Sequence, residues 1–355
     1  MVNRRFCRTV VAFRGAILWI FLLVATAVLC FAQDDNDRAV PLLSGTAAFV
    51  TNFDGGHADV QPVFAPVLLV PIRQNWLIEG RGQFEGDFER KDNGSFGGPV
   101  SSELQYVQLD YIANKYVTFS AGRYLTPFGI YNERLYPLFI RNFQQEPFTL
   151  GLTGESSDGA MLRGGFQIAD GVNLTYATYF STLSTVNKLY SDRAAGGRVS
   201  FYFPKRRFEI GSSWKHLLQE ERTNSYGAHL AWQPYSVPFD LRAEYAYDTK
   251  GKAYWIESAY KLSSVPVGQA VTRHAQLVAR LQQFFIGKDI DENDEYELPD
   301  VRTTQVEGGL NYYFRDDVRA QASYGRAFSI DGNRNIWTVG ATYRFAMPLW
   351  PGDWR

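Results

Sequence analysis

From residue 44 onward the chain alternates apolar and polar side chains in sixteen short runs, and no other feature limits its fold as strongly. Between Trp76 and Phe88 every even position is Trp, Ile, Phe or Gly, while most odd ones are charged or amide. Strand side chains point to opposite faces in turn, so each run has one apolar and one polar face. A soluble sheet shows this once or twice. Sixteen repeats with no helical segment between them predict an all-β fold, a transmembrane antiparallel β-barrel of about sixteen strands whose apolar face meets lipid.

Residues 1–33 are expected to lie outside that fold. Arg4, Arg5, Arg8 and Arg14 precede an apolar run from Ala16 to Phe31, and Cys30-Phe31-Ala32 offers a cleavage site, the pattern of a cleaved secretory signal peptide. The run is shorter than the roughly twenty residues that span a bilayer as a helix. Both cysteines, Cys7 and Cys30, fall in this leader, so the remainder has neither disulfide nor thiol chemistry. Removing the four leader arginines from 36 basic residues leaves 32 against 37 acidic ones, a net charge of −5, and nothing in it points to a nucleic-acid partner. No linker or change of pattern divides the rest, and 34–345 is expected to be one barrel domain followed by a periplasmic extension, 346–355.

The pattern places strands at 44–54, 60–70, 74–89, 102–112, 115–124, 157–168, 171–182, 194–203, 207–217, 223–233, 238–248, 252–262, 273–286, 303–314, 317–328 and 334–345. Short connections fall after strands four, six, eight and fourteen, and long ones after three, five, seven and thirteen. That is the division between periplasmic turns and external loops in bacterial barrels. Two connections break the rule, a long one at 263–272 and a short one at Thr249-Lys250-Gly251, and either could conceal a miscounted hairpin. The longest, 125–156, is the third external loop, expected to fold into the lumen and narrow it. The final strand, Trp337-x-Val339-x-Ala341-x-Tyr343-x-Phe345, ends on an aromatic, as expected of a segment recognised by barrel-assembly machinery.

Assigning one face to lipid assigns the other to water. The expected pore lining includes Glu79, Arg81, Glu85, Asp110, Arg163, Arg198, Arg242, Glu244, Arg280, Glu307 and Arg319. With Asp87, Glu209, Asp240, Glu257, Lys215, Lys261 and Arg344, this makes nine inward acids against nine inward bases, a wall with no preferred ion sign. Barrels of sixteen to eighteen strands leave an aqueous channel, so the expectation is a porin for passive diffusion of small hydrophilic solutes or ions. In the third loop the constriction candidates are Tyr131, Glu133, Arg134, Arg141 and Glu146. The loop aromatics Tyr131, Tyr136, Phe139 and Phe143 suit either a sugar-binding slide or anchors against the wall, and anchoring is favoured because so long a loop needs apolar contacts to hold one conformation.

The segment Gly122-Arg123-Tyr124-Leu125-Thr126-Pro127-Phe128-Gly129 resembles the G-[KR]-[FY]-x-x-P-x-G stretch of the phosphate-selective porin O and P family, with Gly122, Arg123, Pro127 and Gly129 as the matching positions. The resemblance implies a sixteen-stranded, trimeric outer-membrane passive channel for small anions, such as phosphate, or other small solutes. Phosphate selectivity in that family goes with lysines at the constriction. Residues 130–156 contain none, which leaves Arg134, Arg141 and Arg163 as anion contacts, offset by Glu133, Glu146 and Glu155.

Catalysis, cofactors and metals are not expected: His57, His216, His229 and His274 have no ligand spacing. The acidic run Lys288 to Asp300 suits either calcium binding or a bridge to lipopolysaccharide through divalent ions, but it does not match an EF-hand, and a solvated charge run is the favoured reading. The competing function is a non-conducting surface barrel serving as adhesin, receptor or envelope scaffold.

Overall fold

A computed structural model describes residues 40–54, 57–91, 94–154, 156–186, 189–219, 222–266, 268–288 and 298–349. The expected leader, Glu155, most of the acidic run and residues 350–355 lie outside them. Sixteen strands cross in sequence: β1 Leu42–Asp54, β2 His57–Ile72, β3 Trp76–Gly86, β4 Val100–Asn114, β5 Val117–Leu125, β6 Ser156–Ala169, β7 Val172–Thr182, β8 Ala194–Phe203, β9 Phe208–Leu217, β10 Asn224–Trp232, β11 Phe239–Asp248, β12 Gly251–Lys261, β13 Ala275–Ile286, β14 Thr303–Arg315, β15 Val318–Ser329 and β16 Gly332–Pro348. Each pairs antiparallel with the next, and β16 pairs back onto β1 from Leu42↔Pro348 to Asp54↔Ile336, so the sheet closes. Closure removes both sheet edges, the condition for strands to cross lipid. Among the described residues no helix is long and apolar enough to cross a membrane.

The outer face is apolar as the alternation requires. On β16, Val339 is 52% exposed while its neighbour Thr338 is 2% exposed, because one faces outward and the other inward. Outward aromatics gather near the strand ends. On the short-turn side are the pairs Trp76–Tyr111, Phe203–Phe208 and Trp232–Phe239, and on the long-loop side Tyr324–Trp337, the two girdles of a membrane barrel.

Several expected boundaries shift. The strand expected at 74–89 breaks after Gly86, and Phe88–Arg90 pairs separately with β2 and with Phe96–Gly97. The last strand runs to Pro348, so residues 346–348 are part of the β1 ladder rather than of an extension. Neither irregular connection conceals a hairpin, since β11, β12 and β13 pair continuously on both sides of them. The 125–156 connection also contains helical structure that period-two patterning cannot show: a turn at Tyr131–Leu135 and a short helix, α1, Phe148–Thr153.

Candidate functional site

The chain leaves β5 at the Gly122–Gly129 segment, and two of its glycines are steric requirements. Gly122 has φ +123°, and a Cβ there would sit 2.5 Å from the Val107 carbonyl oxygen. Gly129 has φ +64°, and its Cβ would lie 2.1 Å from Glu244 Oε2. Only glycine permits this backbone and this approach. The approach has a purpose: Glu244 accepts hydrogen bonds from the backbone N–H groups of Ile130 at 2.7 Å and Tyr131 at 3.0 Å. Gly129 itself donates to Ser213 Oγ and accepts from Arg198.

From there residues 129–149 are held by inward-facing side chains of one strand after another. Arg198 on β8 pairs with Glu133, and Glu209 on β9 with Arg134 at 2.8 Å. Glu257 on β12 accepts from Asn142 Nδ2, and Trp255 Nε1 donates to Thr149. Arg280 on β13 donates to the Gln145 carbonyl, Asn311 on β14 to the Asn142 carbonyl, and Arg319 on β15 to the carbonyls of Arg141 and Leu138. Such contacts can be made only from inside the wall. Apolar anchors reinforce them: Tyr131 stands edge-on to Trp255, Phe139 to Tyr313, and Phe143 packs with Ala259 and Val278. Tyr131, Phe139 and Phe143 thus serve as wall anchors.

Removing the carboxylate at position 244 should release this loop. Charged hydrogen bonds are worth about 1.5–3 kcal/mol each, so Glu244→Ala is expected to cost about 3 kcal/mol locally, roughly a hundredfold in the population of a detached loop. Tryptic cleavage after Arg134 and Arg141 should quicken accordingly; unchanged cleavage would show that Glu244 does not hold the loop.

The loop also reaches the opposite wall. Tyr136 accepts a 2.8 Å hydrogen bond from Gln105 of β4, the guanidinium groups of Arg81 and Arg141 lie 5.1 and 4.8 Å from its ring centre, and Leu138 packs on Ala48, Val50 and Val63. Between the loop and β1–β4 there remains a cavity of about 620 Å³. Its charged lining consists of Glu85, Glu103, Glu146 and Arg141, with Asn52, Gln61, Gln83, Gln144 and Gln145 between them.

The bases expected to face water are largely engaged. Arg141 pairs with Glu146, Arg163 with Asp110, Arg242 with Asp240, and Arg280 with Glu307, the last pair almost fully buried. Lys215 bonds Asp192 at 2.7 Å and the Thr153 carbonyl, pinning the loop's exit. Burial alone would raise the Asp192 carboxyl, but the charge and hydrogen bond of Lys215 hold it below the ordinary aspartate range, so this pin is present at neutral pH and is lost only as pH falls through that lowered value. By contrast, Glu79, Glu85 and Glu103 meet no base within 4 Å among the described residues; Glu85 takes only a hydrogen bond from Gln83.

Of the sequence-derived candidates, Arg141 and Glu146 line the cavity, whereas Tyr131, Glu133 and Arg134 lie against the β8–β12 wall. Glu85 lines the cavity directly, and Arg81 stands behind it over Tyr136. Glu244, Arg280, Glu307, Arg319 and Arg198 face inward but lie beneath the loop. Asp110, Glu79 and Arg163 gather on the β3–β6 side. In the Gly122–Gly129 segment Arg123 faces outward, tied to Asp158 and to the carbonyls of Leu104 and Tyr190, so it belongs to the rim.

Strict alternation misses one cavity group, Glu103, and the buried inward residue Gln105. Against β3, Arg81↔Tyr106 is followed by Gly82↔Leu104, leaving Gln105 as an extra residue in a bulge. Below the bulge Gln108 and Asp110 point inward; above it Glu103 and Gln105 do. The signal is present in the sequence: Leu104 on one parity and Val107 and Leu109 on the other are all exposed outward, so the apolar face changes parity between them.

Comparison with protein-family models gives no match, and comparison with curated protein sequences gives none. Among solved structures the chain is similar to the high-pH structure of Pseudomonas putida OprB, with 10% identity over 87% of this chain and 94% of that one and a TM-score of 0.58. It is also similar to Salmonella typhi OmpF in complex with daunomycin, with 13% identity, coverage of 86% and 97% and a TM-score of 0.57. A third is the outer-membrane channel DcaP of Acinetobacter baumannii, with 13% identity, coverage of 88% and 99% and a TM-score of 0.54. At such identities the likeness is one of fold. With its closed sixteen-strand wall, apolar outer face and aromatic girdles, the chain has the architecture of a bacterial outer-membrane barrel of the porin type.

Proposed function

We propose that this barrel is a passive diffusion channel whose route runs between the third loop and β1–β4, and that the route favours cations and neutral polar solutes over anions. The carrying observation is the charge of the cavity, three carboxylates against one guanidinium, itself paired with Glu146. Carboxylates in a cleft with low-dielectric walls concentrate cations and repel anions. The resemblance to phosphate-selective porins points the other way, but Arg134, Arg141 and Arg163, the residues it leaves as anion contacts, are each paired with an acid.

A catalytic role is not part of this proposal. Ser200, His229 and Glu209 meet inside the wall, but both partners approach the same nitrogen, Nε2, and Nδ1 has no hydrogen-bond partner, so no acid orients the ring for proton relay. The proposal includes outer-membrane lipid and lipopolysaccharide around the wall, assembly through the barrel-assembly machinery, and a homotrimer. A non-conducting surface barrel remains the second reading, favoured by the contacts of Tyr136 and Leu138 with the near wall. Liposome swelling separates the two. Vesicles carrying the refolded protein should swell in small sugars and in amine-bearing solutes, and more slowly in organic anions of equal size; no swelling in any solute would support the closed barrel.

A further inference from the structure

Three cations near the loop-side ends of β12, β14 and β15 point to the lipid side of the wall. Lys252 alternates with inward Gly251 and Ala253, Arg302 precedes inward Thr303, and Arg326 lies between inward Gly325 and Ala327; all three are exposed. Two of them share one ring: Lys252 Nζ lies 5.1 Å and Arg302 Cζ 4.8 Å from the centre of Phe285. Lys252 and Phe285 are register partners, and Phe284↔Thr303 places Arg302 on the other side of the same row. With the Gln283 amide oxygen turned toward it, Arg302 donates from Nε at 3.3 Å and Nη2 at 3.1 Å, which fixes the guanidinium plane. In the adjoining strip Arg326 lies 5.4 Å over Phe328, and Thr304↔Phe328 joins the two strips.

Among the described residues none of the three cations meets a carboxylate within 4 Å, and exposed Asp300, two residues before Arg302, makes no ion pair with it. A cation on the lipid face is stabilised by an anionic partner, and head-group phosphates offer anions at that depth. Two of five guanidinium N–H donors are satisfied by Gln283, leaving others for phosphate oxygens, while Lys252 supplies a second charge across the ring. We propose that Lys252, Phe285 and Arg302, extended by Arg326, form a binding site for a phosphate group of an outer-leaflet glycolipid. The proposal rests on the orientation of the barrel, with the Gly251 end of β12 outermost, and not on conduction through it.

The test is native mass spectrometry of the full chain in detergent with bisphosphorylated lipid A or its dephosphorylated form. The wild type should retain the phosphorylated lipid at least about twenty-five-fold better, and the preference should fall about fivefold for each cation removed in K252Q and R302Q. Equal retention of the two lipids, or a K252Q/R302Q protein that keeps the wild-type preference, would overturn the proposal. Displacement of the lipid by millimolar inorganic phosphate would also overturn it, by showing a site for the free ion. Heat-dependent gel mobility reports whether each variant is folded, and R302Q alone, a neutral swap of one exposed side chain, keeps the test available if the double variant misfolds. Variants that conduct as wild type but still prefer the phosphorylated lipid would sink this site and leave the pore intact; a silent wild type that keeps the preference would do the reverse.

Discussion

Replacing residues 132–147 by a short glycine-serine linker is expected to raise single-channel conductance severalfold while leaving the barrel folded. The removed segment supplies Tyr136, Leu138, Arg141, Gln144, Gln145 and Glu146, the inner side of the cavity. None of these residues belongs to the ladder, and the β5–β6 pairing from Val117↔Gly164 to Leu125↔Ser156 remains. Arg319 would lose both of its loop carbonyls and Glu257 its Asn142 partner, a serious cost in a dry interior. Water enters the vacated lumen, however, so these groups become solvated rather than orphaned, and Arg280 keeps Glu307. Heat-dependent gel mobility checks folding independently of current. An unchanged conductance in folded protein would show that the loop does not limit flow.

Neutralising Glu85 and Glu103 together should shift the potassium-to-chloride permeability ratio toward chloride on the order of tenfold, since each charge contributes about 1 kcal/mol at contact distance even in water. Among the described residues neither meets a base within 4 Å, so Glu85→Gln and Glu103→Gln remove field without breaking a pair. Arg198→Glu is a poorer probe, because that arginine holds Glu133 and the Gly129 carbonyl and its loss disturbs the loop itself. Reversal potentials indifferent to both Gln substitutions would place these carboxylates outside the conducting path.

The barrel was legible in the sequence because its governing signal has period two and recurs in every crossing strand, so errors at one strand do not propagate. Even the irregular connections at 263–272 and at Thr249-Lys250-Gly251 left the count intact. Parity also named most inward residues, including Glu244, Arg280 and Arg319. It did not reveal their work. Whether an inward arginine faces water or clasps a loop carbonyl depends on contacts such as Ile130 to Glu244, separated by 114 positions, for which alternation has no signal. The equal count of acids and bases also carries no information on which of them the loop covers: it lies over Arg280 and Arg319 together with Glu244 and Glu257, while Glu85 and Glu103 line the cavity. The bulge at Gln105 accounts for the other omission, since one extra residue reverses the parity that placed Glu103 outside.

The most direct test is a planar-bilayer recording of the refolded wild-type protein in a potassium chloride gradient. Steady unitary steps with a reversal potential displaced toward the potassium equilibrium value are the predicted result. Folded protein that inserts without current, or steps that reverse toward the chloride value, would contradict an open, acid-lined route past the third loop.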